Sequence, residues 1–370
     1  MPKTQETILE IDLGSLKHNF NYLRSKLNPG VKFMAVVKAF AYGSDANVIA
    51  SFLENNGVDY FAVAYVHEGV SLRNSGITKP ILVLHPQVSN FKELIDRCIE
   101  PNLYSFDTLK QFISYAEGLD QKNYPVHIKF NTGLNRLGFN ATDISEITSV
   151  LNVTSAIKVR SVFSHLAASE DQNENAFTLG QIGSFDTISN QFEKSIGYMI
   201  KRHICNTSGT LNFPNAHYDF VRCGIGLYGF GNSETENKNL KPIARLKSVI
   251  SQIHHLHDGD TLGYNRAFKS NREMRTATIP IGHADGIGRQ YGNGIGYVYI
   301  GGQKAAILGN VCMDMIMVNV SDIACKEGDE VIIFDEFHTA ETLASATQSI
   351  SYELITSVSQ RIKRIFIDAS

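Results

Sequence analysis

Along the first two thirds of the chain, short apolar runs alternate with segments in which apolar residues return every three or four positions. The runs at 32–38 (KFMAVVK), 60–65 (YFAVAY), 81–84 (ILVL), 101–106 (PNLYSF), 126–131 (VHIKFN), 159–166 (VRSVFSHL), 202–206 (RHICN) and 220–229 (FVRCGIGLYG) read as strands. Between them Val48, Ile49, Phe52 and Leu53, and later Ile182, Phe185, Ile188 and Phe192, keep helical spacing, so each intervening helix has one face to bury. Eight such units in series, with strands apolar enough to be covered on both sides, predict an α/β fold. The expected arrangement is an N-terminal (β/α)8 TIM-type barrel, with a doubly wound parallel sheet as the competitor.

After about residue 240 the texture changes. Runs at 276–281, 297–300, 305–308, 315–320 and 330–334 are separated by glycine-rich or acidic turns, which predicts a C-terminal mainly β domain. Two helical patterns, 339–349 and 351–362, follow. The expected division is 10–240 for the barrel and 241–370 for the β domain. The early run at about 7–13 is a candidate for joining the β domain, because a helix at roughly 15–27 separates it from the first barrel strand.

Composition then narrows the function classes. The chain has 34 basic and 37 acidic residues for a net charge of −3, mixed along its length, so it carries no electrostatic footprint for nucleic acid or anionic lipid. A small-molecule partner is expected. No apolar tract is long enough to span a bilayer, and the N-terminal residues lack the pattern of a secretion signal. Cys98, Cys205, Cys223, Cys312 and Cys325 are odd in number and show no paired-ligand spacing, which points to a reducing cytoplasm and mostly buried thiols. The 12 histidines form no recognisable ligand set, so no metal is expected. The glycine-rich stretch 282–296 lies in a β region without a strand-turn-helix context; a dinucleotide loop is not expected there, and Asp285 and Arg289 are candidates for shaping an entrance.

In a barrel, polar groups just after the strands converge on the C-terminal face. That rule selects Lys38 and Tyr42 after the first strand, Lys129 and Arg136 after the fifth, and His165 at the sixth. It adds Asn206, Thr207 and Ser208 after the seventh, and Arg222, Gly224, Ile225 and Tyr228 at the eighth. A lysine ending an apolar strand has two readings. It can be a rim cation that snorkels to water, or an amine that desolvation keeps neutral and able to form a Schiff base with an aldehyde. Pyridoxal 5′-phosphate is such an aldehyde. Its phosphate would find donors in Tyr42, Thr207, Ser208 and the backbone N–H groups of Gly224 and Ile225.

The blocks VVKAFAYG (36–43), HIKFNTGLNRLGF (127–139), FSHLAASED (163–171), HICNTSGTLNFP (203–214), VRCGIGLYG (221–229), GYNRAF (263–268), IGHADG (281–286) and GNVCMDMIMV (309–318) resemble the alanine racemase family in order and spacing over essentially the whole chain. The resemblance implies pyridoxal phosphate on Lys38, with cofactor contacts from Tyr42, Asn206, Thr207, Gly224, Ile225 and Tyr228. It places Arg222 against the pyridine nitrogen, steadied by His165. Lys38 and Tyr264 become the two bases that exchange the α-proton of L- and D-alanine, supplying D-alanine for peptidoglycan. Arg136 and Met313 bind the substrate carboxylate, and Lys129 matches a lysine often carbamylated in the family, an ordinary strand lysine being the other reading. Tyr264 and Met313 come from the partner subunit, so a homodimer is implied. Phe40, Ser44, Asp45, His283 and Phe366 depart from the family pattern, with Phe366 standing where an entrance tyrosine is usual. These departures bear on specificity, and a serine or broad-spectrum amino-acid racemase is the alternative.

Overall fold

Residues 5–367 are described by a computed structural model of the chain. Strand β1 (Ile8–Asp12) leads into the helix Leu13–Ser25, which Asp12 caps by accepting the Ser15 N–H at 2.9 Å. Eight strands follow: β2 (Lys32–Val36), β3 (Tyr60–Val63), β4 (Ile81–Val83), β5 (Glu100–Leu103), β6 (Tyr124–Lys129), β7 (Ile157–Phe163), β8 (Lys201–His203) and β9 (Phe220–Cys223). They pair in the order β8-β7-β6-β5-β4-β3-β2-β9. A doubly wound sheet would leave β8 and β9 as free edges. Instead Asp219 N–H donates to the Arg202 carbonyl at 3.1 Å and Arg222 N–H to the Cys205 carbonyl at 3.0 Å, drawing β9 against β8 and closing the barrel. Phe33, Ala35, Phe61, Val63, Leu82 and Val162 are fully buried, as strands covered on both faces require.

Each barrel strand ends before the apolar run that announced it does, because local chemistry stops it early. Ser105 stops β5 by capping the helix Phe106–Gly118, accepting the Thr108 N–H at 3.2 Å. After β9, Gly224 leads into a tight 3-10 turn over Ile225–Tyr228.

The rest of the chain forms β10 (Ala244–Val249), β11 (Gln252–Leu256), β12 (Thr261–Leu262), β13 (Phe268–Lys269), β14 (Met274–Ile279), β15 (Tyr297–Ile300), β16 (Gln303–Leu308), β17 (Ile316–Asn319), β18 (Glu330–Phe334) and β19 (Lys363–Ile367). A nine-stranded sheet runs β11-β14-β17-β16-β15-β18-β10-β1-β19, so the first strand of the chain belongs to it, antiparallel to β10 and parallel to β19. The last helix, Ser351–Ser357, stops well short of residue 362, and the chain then turns into β19. Lysine and arginine on an edge strand protect it from unwanted pairing and mask its apolar alternation. Phe366 lies opposite Ile11 in this sheet and does not line the cavity at the barrel mouth.

Among the described residues no helix is long and apolar enough to cross a membrane, and no group of three or more His, Cys, Asp or Glu side chains is placed to hold a metal. Thiol burial is mixed: Cys205 and Cys223 are buried, Cys312 and Cys325 half-buried and Cys98 exposed.

Candidate active site at the barrel mouth

Lys38 follows β2 after a single residue, Val37, and is succeeded by four non-glycine residues in the left-handed region. Ala39, Phe40, Ala41 and Tyr42 have φ between 52° and 54° and ψ between 41° and 57°. For L-residues this conformation costs about 1–2 kcal/mol each, so the turn stores roughly 4–8 kcal/mol. Two side chains hold it. Glu68 accepts the Ala39 N–H at 2.6 Å and, from the end of β3, the Ala64 and Tyr65 N–H groups at 2.7 and 3.0 Å. Arg364 reaches across from β19 to donate to the Gly43 and Ser44 carbonyls at 2.8 and 3.2 Å. The turn sends Tyr42 back into the barrel, where its ring stacks on Tyr228 at 4.4 Å. It also leaves Phe40 58% exposed, so the unusual residue of the motif is not part of the cavity wall.

A cavity of about 580 Å³ opens at the C-terminal ends of the strands. It brings together Lys38, Tyr42, Lys129, Arg136, His165, Asn206, Thr207, Arg222, Gly224 and Ile225. Thr207 Oγ1 accepts the Gly224 and Gly226 N–H groups at 3.3 Å each. A Cβ on Gly224 would overlap the Tyr42 hydroxyl, so only glycine lets the backbone close in and form a concave cradle with Tyr42 and Thr207.

Other expected residues lie elsewhere. The Tyr228 hydroxyl donates to the Val36 carbonyl at 3.0 Å, so this side chain supports Tyr42 from behind and does not line the cavity. Ser208 donates to the buried Glu236 carboxylate at 3.0 Å and is not a free donor for a phosphate. Asp285 is buried and pairs with Arg361 at 2.6 Å, while His283 and Arg289 are exposed; none of the three lines this cavity, so they do not shape its entrance within the chain. Tyr264 and Met313 are 74% and 58% exposed on the β domain. The Tyr264 carbonyl accepts from Asn310, three residues before Met313, at 3.2 Å.

Sequence reasoning missed several wall residues. His85 follows β4 and Asn102 lies in β5, and the strand-end rule would have found both had it been applied to those two strands. Tyr352, whose ring is 6.0 Å from that of Tyr42, arrives from the C-terminal helix Ser351–Ser357, where no local pattern marks it.

The electrostatics of the cavity are one-sided. Lys38, Lys129, Arg136 and Arg222 line it, and among the described residues no aspartate or glutamate does. Burial, and then the Arg136 charge, push the Lys38 amine below its ordinary pKa against an opposing pull from Glu68. Burial, Arg136 and Arg222 bring Lys129 down to about 8. Burial lowers Arg222 to about 10, still cationic at neutral pH. Its guanidinium donates to His203 Nδ1 at 2.6 Å, the Ser164 carbonyl at 2.7 Å, His165 Nδ1 at 3.1 Å and the Ile204 carbonyl at 3.2 Å. Because a guanidinium has no acceptor, both imidazole nitrogens that face it must accept. Both imidazoles are held well below their ordinary pKa, first by burial and then by the Arg222 charge. A concave surface with four cations and no balancing acid attracts small anions.

A desolvated lysine in a cation-lined cavity at the mouth of a parallel barrel, backed by a β domain, defines a two-domain barrel enzyme for amine chemistry on small anionic compounds. Residues 11–231 match the family model "Alanine racemase, N-terminal domain" and residues 243–366 the model "Alanine racemase, C-terminal domain". Alanine racemase 1 of Clostridium acetobutylicum is 34% identical, covering 97% of this chain and 94% of its own, and the Clostridium tetani alanine racemase is 35% identical over the same shares. The solved structure of the Clostridium difficile alanine racemase superposes with a TM-score of 0.92 at 32% identity, covering 100% of this chain and 97% of its own. The chain belongs to the alanine racemase family.

Proposed function

We propose that the chain interconverts L-alanine and D-alanine on pyridoxal 5′-phosphate held by Lys38. The observation that carries this reading is the acid-free, four-cation cavity around a desolvated lysine, next to a cradle that a Cβ on Gly224 would fill. When bound, the cofactor withdraws electrons from the α-carbon of an attached amino acid and makes its proton removable.

The chain's own residues do the rest. Tyr42, Asn206, Thr207 and the Gly224 and Ile225 backbone would hold the phosphate, with Tyr228 bracing Tyr42. Arg222, its guanidinium fixed by His165, would face the ring nitrogen as a donor and so favour its unprotonated form. Lys38, whose lowered pKa favours the neutral amine, takes or returns the α-proton on one face. Tyr264 of the partner subunit serves the other face, which fits the exposure of that side chain on its own domain. Arg136, together with Met313 of the partner subunit, holds the substrate carboxylate. Lys129, with a pKa of about 8, has a neutral fraction able to add carbon dioxide; the carbamate forms with loss of one proton and supplies the anion that the cavity lacks. The working unit is then a head-to-tail homodimer, with each chain dividing near residue 240. D-Alanine serves peptidoglycan, and five free thiols accord with a cytoplasmic setting.

The test is a racemisation assay on L-alanine beside L-serine, with borohydride reduction of the cofactor-loaded protein followed by peptide mapping. The expected result is cofactor fixed on Lys38 and faster turnover of alanine. Fixation on another residue, or serine turnover equal to that of alanine, contradicts it.

A further inference from the structure

Arg222 is buried, yet every acceptor it meets among the described residues is neutral. A cation removed from water needs compensation. The nearest carboxylate reached through its hydrogen bonds is Glu100, at the other end of a line of side chains on the inner wall of the barrel. Successive strands contribute one residue each: Glu100 from β5, His127 from β6, Ser161 from β7, His203 from β8 and Arg222 from β9. The contacts are 2.6 Å from Arg222 to His203 Nδ1, 2.9 Å from His203 Nε2 to Ser161 Oγ, 2.6 Å from Ser161 Oγ to His127 Nδ1, and 2.7 Å from His127 Nε2 to Glu100 Oε2. His127, Ser161 and His203 have no solvent exposure, and Glu100 has 5%.

The two ends fix the direction of the whole line. Arg222 can only donate, so His203 Nδ1 accepts and its Nε2 carries the proton. That proton goes to Ser161, whose hydroxyl then donates to His127 Nδ1, and His127 Nε2–H donates to Glu100, a carboxylate that can only accept. A doubly protonated His127 would leave the Ser161 proton without an acceptor, since this hydroxyl has no other partner. Tyr60 also donates to Glu100, and Arg160 meets its second oxygen at 3.3 Å from the far end of the barrel. Burial raises the Glu100 pKa, but the bonds from His127 and Tyr60 and the Arg160 charge outweigh it and keep the group ionised. The His203 ring is further pinned by stacking on Phe163 at 4.7 Å and 2°.

We propose that Glu100 is a positioning residue for the racemase site, acting on Arg222 through the one-way relay of His127, Ser161 and His203. The proposal rests on the placement of Arg222 against the cofactor's ring nitrogen. Fixing the relay's direction keeps an acceptor, never an N–H, facing Arg222, and so keeps the guanidinium aimed at the cavity. Glu100→Gln substitutes an amide able to donate to His127 and reverse the line. Ser161→Ala breaks it in the middle and makes the same test should the first variant not fold.

The measurement is the ¹⁵N shift of ring-labelled pyridoxal phosphate in the folded holoenzyme, together with the side-chain ¹⁵N shifts of His127 and His203 and the fraction of turnovers that end in transamination. In the wild type both histidines are expected as neutral Nε2–H tautomers. In either variant the ring-nitrogen signal moves toward the protonated position and the transaminating fraction rises several-fold. kcat falls about tenfold, as for groups that orient a site from behind, with little change in KM for alanine. An unmoved ring-nitrogen signal in a folded variant, while Arg222→Lys does move it, overturns the relay, as does a doubly protonated His127 in the wild type. If Arg222→Lys leaves the signal in place, it is the assignment of Arg222 that fails.

Discussion

The barrel mouth and the outer loops of the β domain carry the two bases of the proposed reaction under opposite conditions. Lys38 sits on a strained left-handed turn, clamped by Glu68 and Arg364, in a cavity that lowers its pKa. Tyr264 and Met313 stand more than half exposed, away from the cavity of their own chain. On the proposed reading, one chain prepares half of a site and displays the other half for a second copy. Pre-organisation is complete where the cofactor is to bind and absent where only assembly supplies the surroundings.

Changes at the mouth are expected to cost most. Lys38→Ala removes both the point of cofactor attachment and one base, and racemisation should fall by about 10⁴-fold or more in a polarimetric assay. Tyr264→Phe removes a base on the exposed side only. It should lower kcat by roughly 10²–10³-fold in both directions, while α-proton exchange in deuterated buffer, which needs only the base on one face, falls more for L-alanine than for D-alanine. Equal loss of exchange from the two enantiomers would remove the two-base assignment. Gly224→Ala drives a methyl into the Tyr42 hydroxyl, and overpacking of this kind costs about 1–3 kcal/mol. The expected readout is a Kd for pyridoxal phosphate raised by about one to two orders of magnitude, with far-ultraviolet circular dichroism unchanged.

The smallest effect concerns Lys129. Its folded pKa of about 8 lies below the ordinary value of 10.5, so between those pH values the unfolded chain binds more protons and stability rises with pH. Below pH 8 both states are protonated and the full penalty of burying the cation is present, on the order of 3–4 kcal/mol. In carbon-dioxide-free, cofactor-free protein, Lys129→Gln should therefore raise Tm at pH 7 by roughly 2–5 °C, a gain that shrinks as pH approaches 10.5. A gap that is constant with pH would show that Lys129 is not desolvated.

How much of this could be read from the sequence depends on whether a residue interrupts a pattern. Lys38, Lys129, His165 and Arg222 each break an apolar strand near its end, and the barrel carries them to one mouth. Glu100, His127 and Ser161 sit inside strands where a polar residue looks incidental, and only the shear of the closed barrel aligns them into a line. The left-handed turn was hidden because AFAY contains no glycine; its strain is supported by Glu68 and Arg364, neither of which neighbours it in sequence. The lysine and arginines of RIKR mask strand β19, in which Phe366 pairs with Ile11.

The most direct test of a site shared between chains is complementation between two inactive variants. Lys38→Ala and Tyr264→Phe proteins are purified separately, dissociated, mixed in equal amounts and reassociated. In a mixed dimer, one barrel keeps Lys38 and receives an intact Tyr264 from its partner, while the other barrel lacks both. Random pairing makes about half the dimers mixed, with one live site in two, so activity should return to about a quarter of the wild-type level. If Tyr264 served its own barrel, every site in the mixture would be crippled, and the absence of any recovery in dimers shown to have exchanged would contradict the account.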